Sequence, residues 1–350
     1  MINKKYTVTE KNGGCVPTPP IIGKDKYGHN IYDERVLYVE IPCGQCIECR
    51  QAKAREWTVR LNEEIQEWEY KYMITLTFEP KALAEILKER NIKECNAAVG
   101  YAVRHSLEYW RKDHKKSLRH WYISEMGHDN SERIHAHGII FCNEPIEYEK
   151  IERSGDGWRG RWKYWKYGLV HIGDYCTERT VNYIVKYVTK IDNDHKGFIG
   201  QIFASPGIGK RFLEHQFSQT YKYRPGDTKG YYTLNNGAKV KLPVYYKNKL
   251  HNEEERELIW RDFMDEKKQT IAGNTYPESL PGATTQNILN KAQEVNKFNG
   301  YGDDSQEWRK KPYNITRRML EHNEEWKREK VRKKRQSIMA QMGIGVPGIE

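Results

Sequence analysis

The sequence contains no long apolar stretch. No run within its 350 residues approaches the roughly 18–20 apolar residues that a membrane-spanning helix needs. The first five residues, Met1–Lys5, also lack the apolar core of a secretory signal peptide. These absences predict a protein that has no membrane partner.

The phosphate-binding motif G-x-x-x-x-G-K-[ST] is absent as well. Residues Ser205–Lys210 are rich in glycine, but they do not fit its spacing. We therefore expect no bound nucleotide and no helicase or ATPase activity. If the protein acts on duplex DNA, another protein has to unwind it.

Paired cysteines are not evident either. The seven cysteines are an odd number, which argues against a disulfide framework and favours a reducing compartment. Cys43, Cys46 and Cys49 recur at every third residue, a spacing that can place three thiolates around one zinc ion. Cys15 or His29 could supply the fourth ligand. The alternative is a turn with three unrelated thiols, and the residues alone leave both open.

What the chain has in excess is positive charge and aromatic rings. It carries 59 Lys+Arg against 48 Asp+Glu, with 24 Tyr and 10 Trp. Such a composition suits nucleic acid, because cations bind phosphates and flat rings stack on bases; a basic protein without a polyanion partner is the alternative. The two residue types interleave in Gly157–Tyr167, where Trp165 is assigned to the core. The predicted single-strand DNA contacts there are Trp158, Arg159, Arg161, Trp162 and Lys163.

Apolar periodicity predicts alternating helices and strands in the first two thirds of the chain. The predicted helices cover residues 50–70, 81–112 and a segment that begins at Glu178 after the capping residue Thr177. The predicted strands are Val36–Ile41, Tyr72–Phe78, Leu118–Met126, a strand through His135–Phe141, and Leu169–Ile172.

One predicted hairpin brings a carboxylate to two imidazoles. His135 and His137 are separated by one residue, so on a strand they point to the same face. Glu125 lies across the hairpin from them. Two imidazoles and a carboxylate can bind a divalent ion such as Mg²⁺ or Mn²⁺. The alternative is a pair of polar strand residues near a solvated charge.

The helix after Thr177 separates its apolar and polar residues. At 100° per residue its valines and Ile184 form one stripe, whereas Tyr183, Tyr187 and Lys190 fall on nearly the opposite face, with Lys186 at their border. Two phenols one turn apart beside a lysine form a nucleophile arrangement. A phenol can attack an activated ester, and the lysine can lower its pKa or stabilise a leaving oxyanion.

The last third of the chain carries weaker signals. It predicts a polar hairpin within Tyr221–Tyr246, helices over about 252–270 and 314–340, and a linker over 271–305. Lys327–Arg335 has seven basic residues against one acidic residue, which predicts a basic helix or tail. The predicted organisation is an irregular leader (1–40), a central domain with a cysteine-rich entry (41–215) and a mostly helical C-terminal extension (216–350).

Three motifs, taken in chain order, resemble those of the HUH endonucleases. They are the strand Thr75–Thr77, the pair His135–His137 and the helix motif Tyr183-x-x-x-Tyr187-x-x-Lys190. More narrowly, the chain resembles the replication initiators of microvirus-type single-stranded DNA phages, particularly the gokushovirus-like group. The cysteine run at residues 42–50, Glu125–Gly127 and Arg133–His137 match patterns of that group.

The resemblance covers roughly residues 40–215. One departure is Ala136, which replaces the bulky hydrophobic residue between the two histidines. Because that side chain faces away from the expected metal, ligation should be preserved. The resemblance implies an α+β fold with a central antiparallel sheet, the histidines on a middle strand and helices packed on the sheet.

The resemblance also implies a reaction. A divalent ion bound by His135, His137 and Glu125 polarises an origin phosphate, and Tyr183 or Tyr187 attacks to give a 5′-phosphotyrosine and a free 3′-OH. Host polymerase then extends the 3′ end, a host helicase unwinds the duplex, and a second transfer closes the circle. The implied location is the host bacterial cytoplasm.

Two other functions stay open at this point. A plasmid or transposon relaxase would use the same chemistry. A non-catalytic single-stranded nucleic-acid-binding protein would instead use the histidines and cysteines to bind structural zinc.

Overall fold

The computed structural model describes residues 5–10, 21–32, 36–41, 47–127, 133–190, 192, 195, 198–265, 268–271, 274–277 and 279–298. Four short strands lie at its N-terminal end: β1 (Lys5–Glu10), β2 (Ile21–Lys24), β3 (Asn30–Tyr32) and β4 (Val36–Ile41). β1 pairs in parallel with β4, and β2 pairs antiparallel with β3. Only β4 was predicted, with these bounds.

The centre of the fold is a seven-stranded antiparallel sheet. Its strands, in chain order, are β5 (Tyr70–Thr77), β6 (Arg119–Met126), β7 (Ile134–Cys142), β8 (Glu149–Ser154), β9 (Gly157–Arg161), β10 (Val170–Gly173) and β11 (Ile202–Ala204). Their spatial order is β11-β6-β7-β5-β10-β9-β8. The histidine strand β7 therefore lies between β6 and β5, and the predicted α+β class is confirmed.

Helices and two hairpins account for the other described elements. The helices are α1 (Ile47–Glu67), α2 (Pro80–Glu89), α3 (Cys95–His114), α4 (Glu178–Thr189), α5 (Val244–Leu250), α6 (Glu253–Asp265) and α7 (Gly282–Phe298), with 3-10 helices at Lys210–Glu214 and Gln216–Tyr221. The hairpins are β12 (Tyr231–Thr233) with β13 (Lys239–Lys241), and β14 (Lys268–Ile271) with β15 (Asn274–Pro277). None of the described helices is long and apolar enough to cross a membrane.

Each face of the sheet buries its own layer of helices. Because strand residues alternate between faces, Ile74 and Ile140 pack with α2 and α3. On the reverse face, Trp121 and Ile139 pack with α1 and α4. Trp165 is buried in the first of these cores, as predicted. The histidines belong to the face that α4 covers.

The segment after residue 215 continues the fold. Val59 of α1 packs in a third core with Phe212, Tyr221, Leu242 and Tyr246. The boundary predicted at residue 215 therefore falls inside a packed core.

Several predicted elements need correction. The helix expected over 81–112 is two helices, because the chain turns at Asn91, whose φ of 50° is left-handed. The linker expected over 271–305 is wrong for α7 and for β15. The β8–β9 hairpin was not predicted, since every residue of β8 is exposed and apolar alternation is missing. The helix predicted over 314–340 and the basic segment Lys327–Arg335 lie outside the described residues.

Candidate metal centre and tyrosine pair

Strand register brings Glu125 to the two histidines. Glu125 of β6 pairs directly with His135 of β7, and His137 follows on the same face. The Nε2 atoms of His135 and His137 lie 3.0 and 2.8 Å from Oε2 of Glu125. Within the described part of the chain this is the one cluster of at least three His, Cys, Asp or Glu residues close enough to share an ion.

The far side of each imidazole is fixed by an oxygen atom. Nδ1 of His135 lies 3.1 Å from the backbone oxygen of Arg133, and Nδ1 of His137 lies 3.0 Å from Oγ1 of Thr75. A carbonyl oxygen only accepts, so Nδ1 of His135 must donate. In the neutral ring Nε2 then carries the lone pair that faces the carboxylate. Such outer partners are typical of metal-binding histidines.

Opposite charges surround the Glu125 carboxylate. Burial opposes its ionisation, but hydrogen bonds from His135, His137 and Lys190 outweigh burial and hold the pKa of Glu125 well below its usual value. Burial lowers the pKa of His137, against the raising effect of Glu125. Both effects favour the ionised carboxylate and the neutral imidazole, which are the forms that bind a metal ion.

Lys190 connects the tyrosine helix to this carboxylate. Lys190 follows the last residue of α4, and its ammonium donates a short hydrogen bond to Oε1 of Glu125. Arg50 of α1 donates to the backbone oxygen of Lys190 at 3.3 Å. Lys190 was predicted as a catalytic residue beside the tyrosines. The structure places its charge on Glu125, so that Oε2 is left facing the histidines.

The two tyrosines have different environments. The ring of Tyr187 stacks on His137, with 4.4 Å between centroids and 9° between planes, and Tyr187 is only 8% exposed. Tyr183, one turn earlier, is 41% exposed. The expectation that both lie on a face away from the buried side of α4 is therefore wrong for Tyr187, because the arc of α4 that contacts the sheet is wide enough to include it.

The phenols are linked to each other and to Lys186. The hydroxyl of Tyr187 donates to that of Tyr183 at 2.8 Å. The ammonium of Lys186 lies 4.0 Å from the ring centroid of Tyr183 and 5.2 Å from that of Tyr187. Burial, followed by the bond to Tyr183, raises the pKa of Tyr187. Tyr187 is thus held neutral as a hydrogen-bond donor, and Tyr183 is the phenol that solvent reaches.

The start of α4 is fixed locally. Thr177 precedes the helix as predicted, and its backbone N–H donates to Oγ1 of Thr180 at 3.0 Å. The predicted apolar stripe is confirmed: Val181, Ile184, Val185 and Val188 are buried. This stripe packs against the sheet and sets the rotation of α4, which in turn determines where the tyrosines lie.

The predicted DNA-binding residues lie on and beside β9 and do not form one surface. Arg159 and Arg161 are exposed and pair with Glu152 and Glu149 of β8. Trp158 is half-buried on the opposite face. Lys163 is exposed and pairs with Asp113. Trp162 is 2% exposed and belongs to the core, so its ring is not available to a base in this structure.

The cysteine site stays a prediction. Cys43 and Cys46 lie outside the described residues, and Cys49 is half-buried in the first turn of α1.

Two orienting groups were missed from the sequence. Thr75 and the backbone of Arg133 fix the two imidazoles, yet neither was predicted to do so. The register of β5 holds a signal for the first, since Thr75 pairs with His137. The second is a backbone contact that residue types do not encode.

Comparisons with known proteins identify relatives of this chain. Residues 71–192 match the family described as replication-associated protein ORF2, a range that includes the triad and both tyrosines. The chain is 26% identical over 247 residues to replication-associated protein VP4 of Bdellovibrio phage phiMH2K, covering 65% of this chain and 74% of the relative. It is 24% identical over 263 residues to replication-associated protein ORF2 of Spiroplasma virus 4, covering 70% and 78%.

A third relative matches over a shorter length. Replication-associated protein ORF4 of Chlamydia phage 1 is 26% identical over 160 residues, which cover 43% of this chain and 38% of the relative. No solved structure matches the chain. The resemblance inferred from the motifs is confirmed: this chain is related to the replication-associated proteins of microvirus-type single-stranded DNA phages.

Proposed function

We propose that the protein initiates rolling-circle replication by nicking and rejoining single-stranded origin DNA through a 5′-phosphotyrosine. The observation that carries the proposal is the contact between the triad and the tyrosine helix. Tyr187 stacks on His137 and bonds to Tyr183, so a nucleophile lies next to a metal-binding donor set.

The residues present fit a divalent ion. Nε2 of His135 faces Oε2 of Glu125 at 3.0 Å while its Nδ1 is committed to a carbonyl oxygen. Two acceptors at this distance need a proton or a cation between them. Two imidazole nitrogens and one carboxylate oxygen form a donor set that divalent ions accept, and Mg²⁺ or Mn²⁺ is the expected ion. When bound, the ion supplies Lewis acidity to a phosphate oxygen.

The chain's own groups then place and activate the nucleophile. The phenolic oxygen of Tyr183 forms a bond to phosphorus, and the bond from phosphorus to the 3′ oxygen breaks. The proton lost by Tyr183 is balanced by the proton that the 3′ oxygen gains as a hydroxyl group. Tyr187 donates to the phenolate as it forms, and Lys186 offsets its negative charge. Attack by a 3′-OH on the phosphotyrosine reverses these steps and rejoins the strand.

The names of the relatives favour the phage initiator over a plasmid or transposon relaxase. Each is described as a replication-associated protein of a phage or virus. Host helicase and polymerase complete the proposed cycle in the host bacterial cytoplasm, because this chain carries no nucleotide-binding motif of its own.

Covalent attachment to DNA tests the proposal. The protein is incubated with Mn²⁺ and single-stranded oligonucleotides tiled across the replicon that encodes it, and adducts are separated on a denaturing gel and mapped by mass spectrometry. We expect one adduct with the intact protein and none with the double variant Tyr183→Phe, Tyr187→Phe. If the intact protein forms no adduct, the non-catalytic alternative is favoured; if the double variant still forms one, the nucleophile is another residue.

A further inference from the structure

One row of paired residues crosses the sheet from the candidate metal centre to β9. His137 of β7 pairs with Thr75 of β5, Thr75 pairs with His171 of β10, and His171 pairs with Arg159 of β9. Directly paired residues of neighbouring strands point to the same face. Arg159 therefore lies on the face of the histidines, three strands from His137, or about 14 Å at the usual strand spacing.

This part of the face is accessible. Thr75 and His171 are half-buried, and the side chains of Arg159 and Arg161 are 49% and 68% exposed. Arg161 follows Arg159 by two residues and points to the same side. The row thus runs from the triad under α4 to two exposed guanidinium groups.

The aromatic residues of the same hairpin lie on its other face. Trp158 pairs with Ile172, a core residue of the side that α2 and α3 cover. Lys150 and Arg153 lie beside the Trp158 ring, at 5.2 and 5.5 Å from its centroid. The interleaving of cations and rings in the sequence is therefore a separation of the two faces, and the arginines alone share the face of the triad.

We infer that phosphates of the strand flanking the nicked bond follow this row and are bound by Arg159 and Arg161. The inference rests on the proposed function for the nicked bond itself. Guanidinium groups bind phosphate oxygens in a bidentate manner. Glu152, at 2.9 Å from Arg159, and Glu149, at 3.8 Å from Arg161, occupy these groups without DNA. Exposed pairs of this kind contribute under about 1 kcal/mol, so phosphate can displace the carboxylates.

Salt-dependent binding tests the inference, because each phosphate contact contributes about 0.7 to the slope of log K against log salt for single strands. The full-length protein is titrated against fluorescein-labelled oligo(dT) in chelator, and anisotropy is followed over a salt series. The double variant Arg159→Gln, Arg161→Gln should bind more weakly, with a slope smaller by about 1.4. The matched control is Lys150→Gln, Arg153→Gln, which removes the same charge from the opposite face and should leave the slope unchanged.

A third variant tests the same surface by a gain. Glu152→Gln frees Arg159 and should tighten binding to oligo(dT), a result that a misfolded protein cannot produce. The inference is wrong if the arginine variant keeps the wild-type slope, if both double variants lose affinity equally, or if Glu152→Gln binds no tighter. It fails independently of the proposed function, since adduct formation by the intact protein is scored in a separate assay.

Discussion

The hydroxyl of Tyr187 donates a 2.8 Å hydrogen bond to the phenolic oxygen of Tyr183. Because the donor ring is buried against His137 and the acceptor is exposed, the two phenols are not equivalent before DNA is cut. The accessible phenol, Tyr183, is expected to attack first. Tyr187 has to leave His137 before it can attack in its turn.

Single tyrosine variants should therefore differ. Tyr183→Phe should abolish the first adduct with an origin oligonucleotide. Tyr187→Phe should still form it, roughly tenfold more slowly, because a hydrogen bond of about 1.5 kcal/mol to the developing phenolate is lost. The measurement is the single-turnover rate of adduct formation, with the modified residue assigned by mass spectrometry. An adduct on Tyr187 in the intact protein would reverse the order.

His135→Ala should abolish nicking and retain most of the single-strand affinity. The imidazole is one of three donors to the proposed ion, while phosphate contacts lie elsewhere. The measurements are the nicking rate with Mn²⁺, with and without chelator, and oligo(dT) binding in chelator. His105→Ala on α3, beneath the opposite face of the sheet, is the control and should nick normally. Equal nicking by His135→Ala and the intact protein would refute the metal site.

Lys190→Met should weaken Mn²⁺ binding by roughly tenfold or more, the usual effect of losing a group that orients a ligand. Without the ammonium on Oε1, the Glu125 carboxylate can rotate away from the histidines. Lys186→Met is the matched control, because it slows adduct formation and leaves Mn²⁺ affinity unchanged. Calorimetric titration with Mn²⁺ separates the two lysines, and identical affinities for Lys190→Met and the intact protein would contradict the assignment.

His120→Gln should reduce the loss of stability in acid. Burial lowers the pKa of His120 below the ordinary value of 6.5, and its Nδ1 lies 3.0 Å from the oxygens of Leu118 and Ser205. Below pH 6.5 the unfolded chain binds a proton that the folded chain excludes, so stability falls as the pH drops towards the folded-state value. The melting temperature is compared at pH 7.5 and 5.5. The difference between these pH values should be smaller for the variant, and an equal difference would exclude His120 as a contributor.

Gly138→Ala should destabilise the sheet beside the triad. A Cβ there would lie 2.2 Å from the backbone oxygen of Trp121 and 2.3 Å from the Tyr122 ring, and the backbone cannot move aside without disturbing β6. We expect a loss of at least about 2 kcal/mol in the free energy of unfolding, measured by urea denaturation. Gly230→Ala is the control, since nothing lies within 4 Å of its Cβ position. Equal stability of the two variants would contradict the packing.

The sequence predicted the parts of the site that strand alternation controls. A hairpin with His135 and His137 on one face has to present them to Glu125, whatever else surrounds them. The burial of Tyr187 could not be predicted in the same way, because it depends on how α4 crosses the sheet. The Lys190–Glu125 contact depends on the same crossing. Both are tertiary facts that a helical wheel does not contain.

The elements that were missed lack the signals on which prediction relies. Every residue of β8 is exposed, so no apolar alternation marks it as a strand. α7 is rich in asparagine, threonine and glutamine, which are typical of loops as well as of polar helices. In the long helical region, a single left-handed residue, Asn91, separates α2 from α3.

The third core has a practical consequence for dissecting the protein. Tyr246 of α5 donates to the backbone oxygen of Gly209 at 2.8 Å, and it shares that core with Val59 of α1. A chain ended at residue 215 would expose the underside of the helix that supports α4. The smallest fragment that can hold the tyrosines in place therefore has to extend to about residue 250, beyond the stretch that carries the motifs.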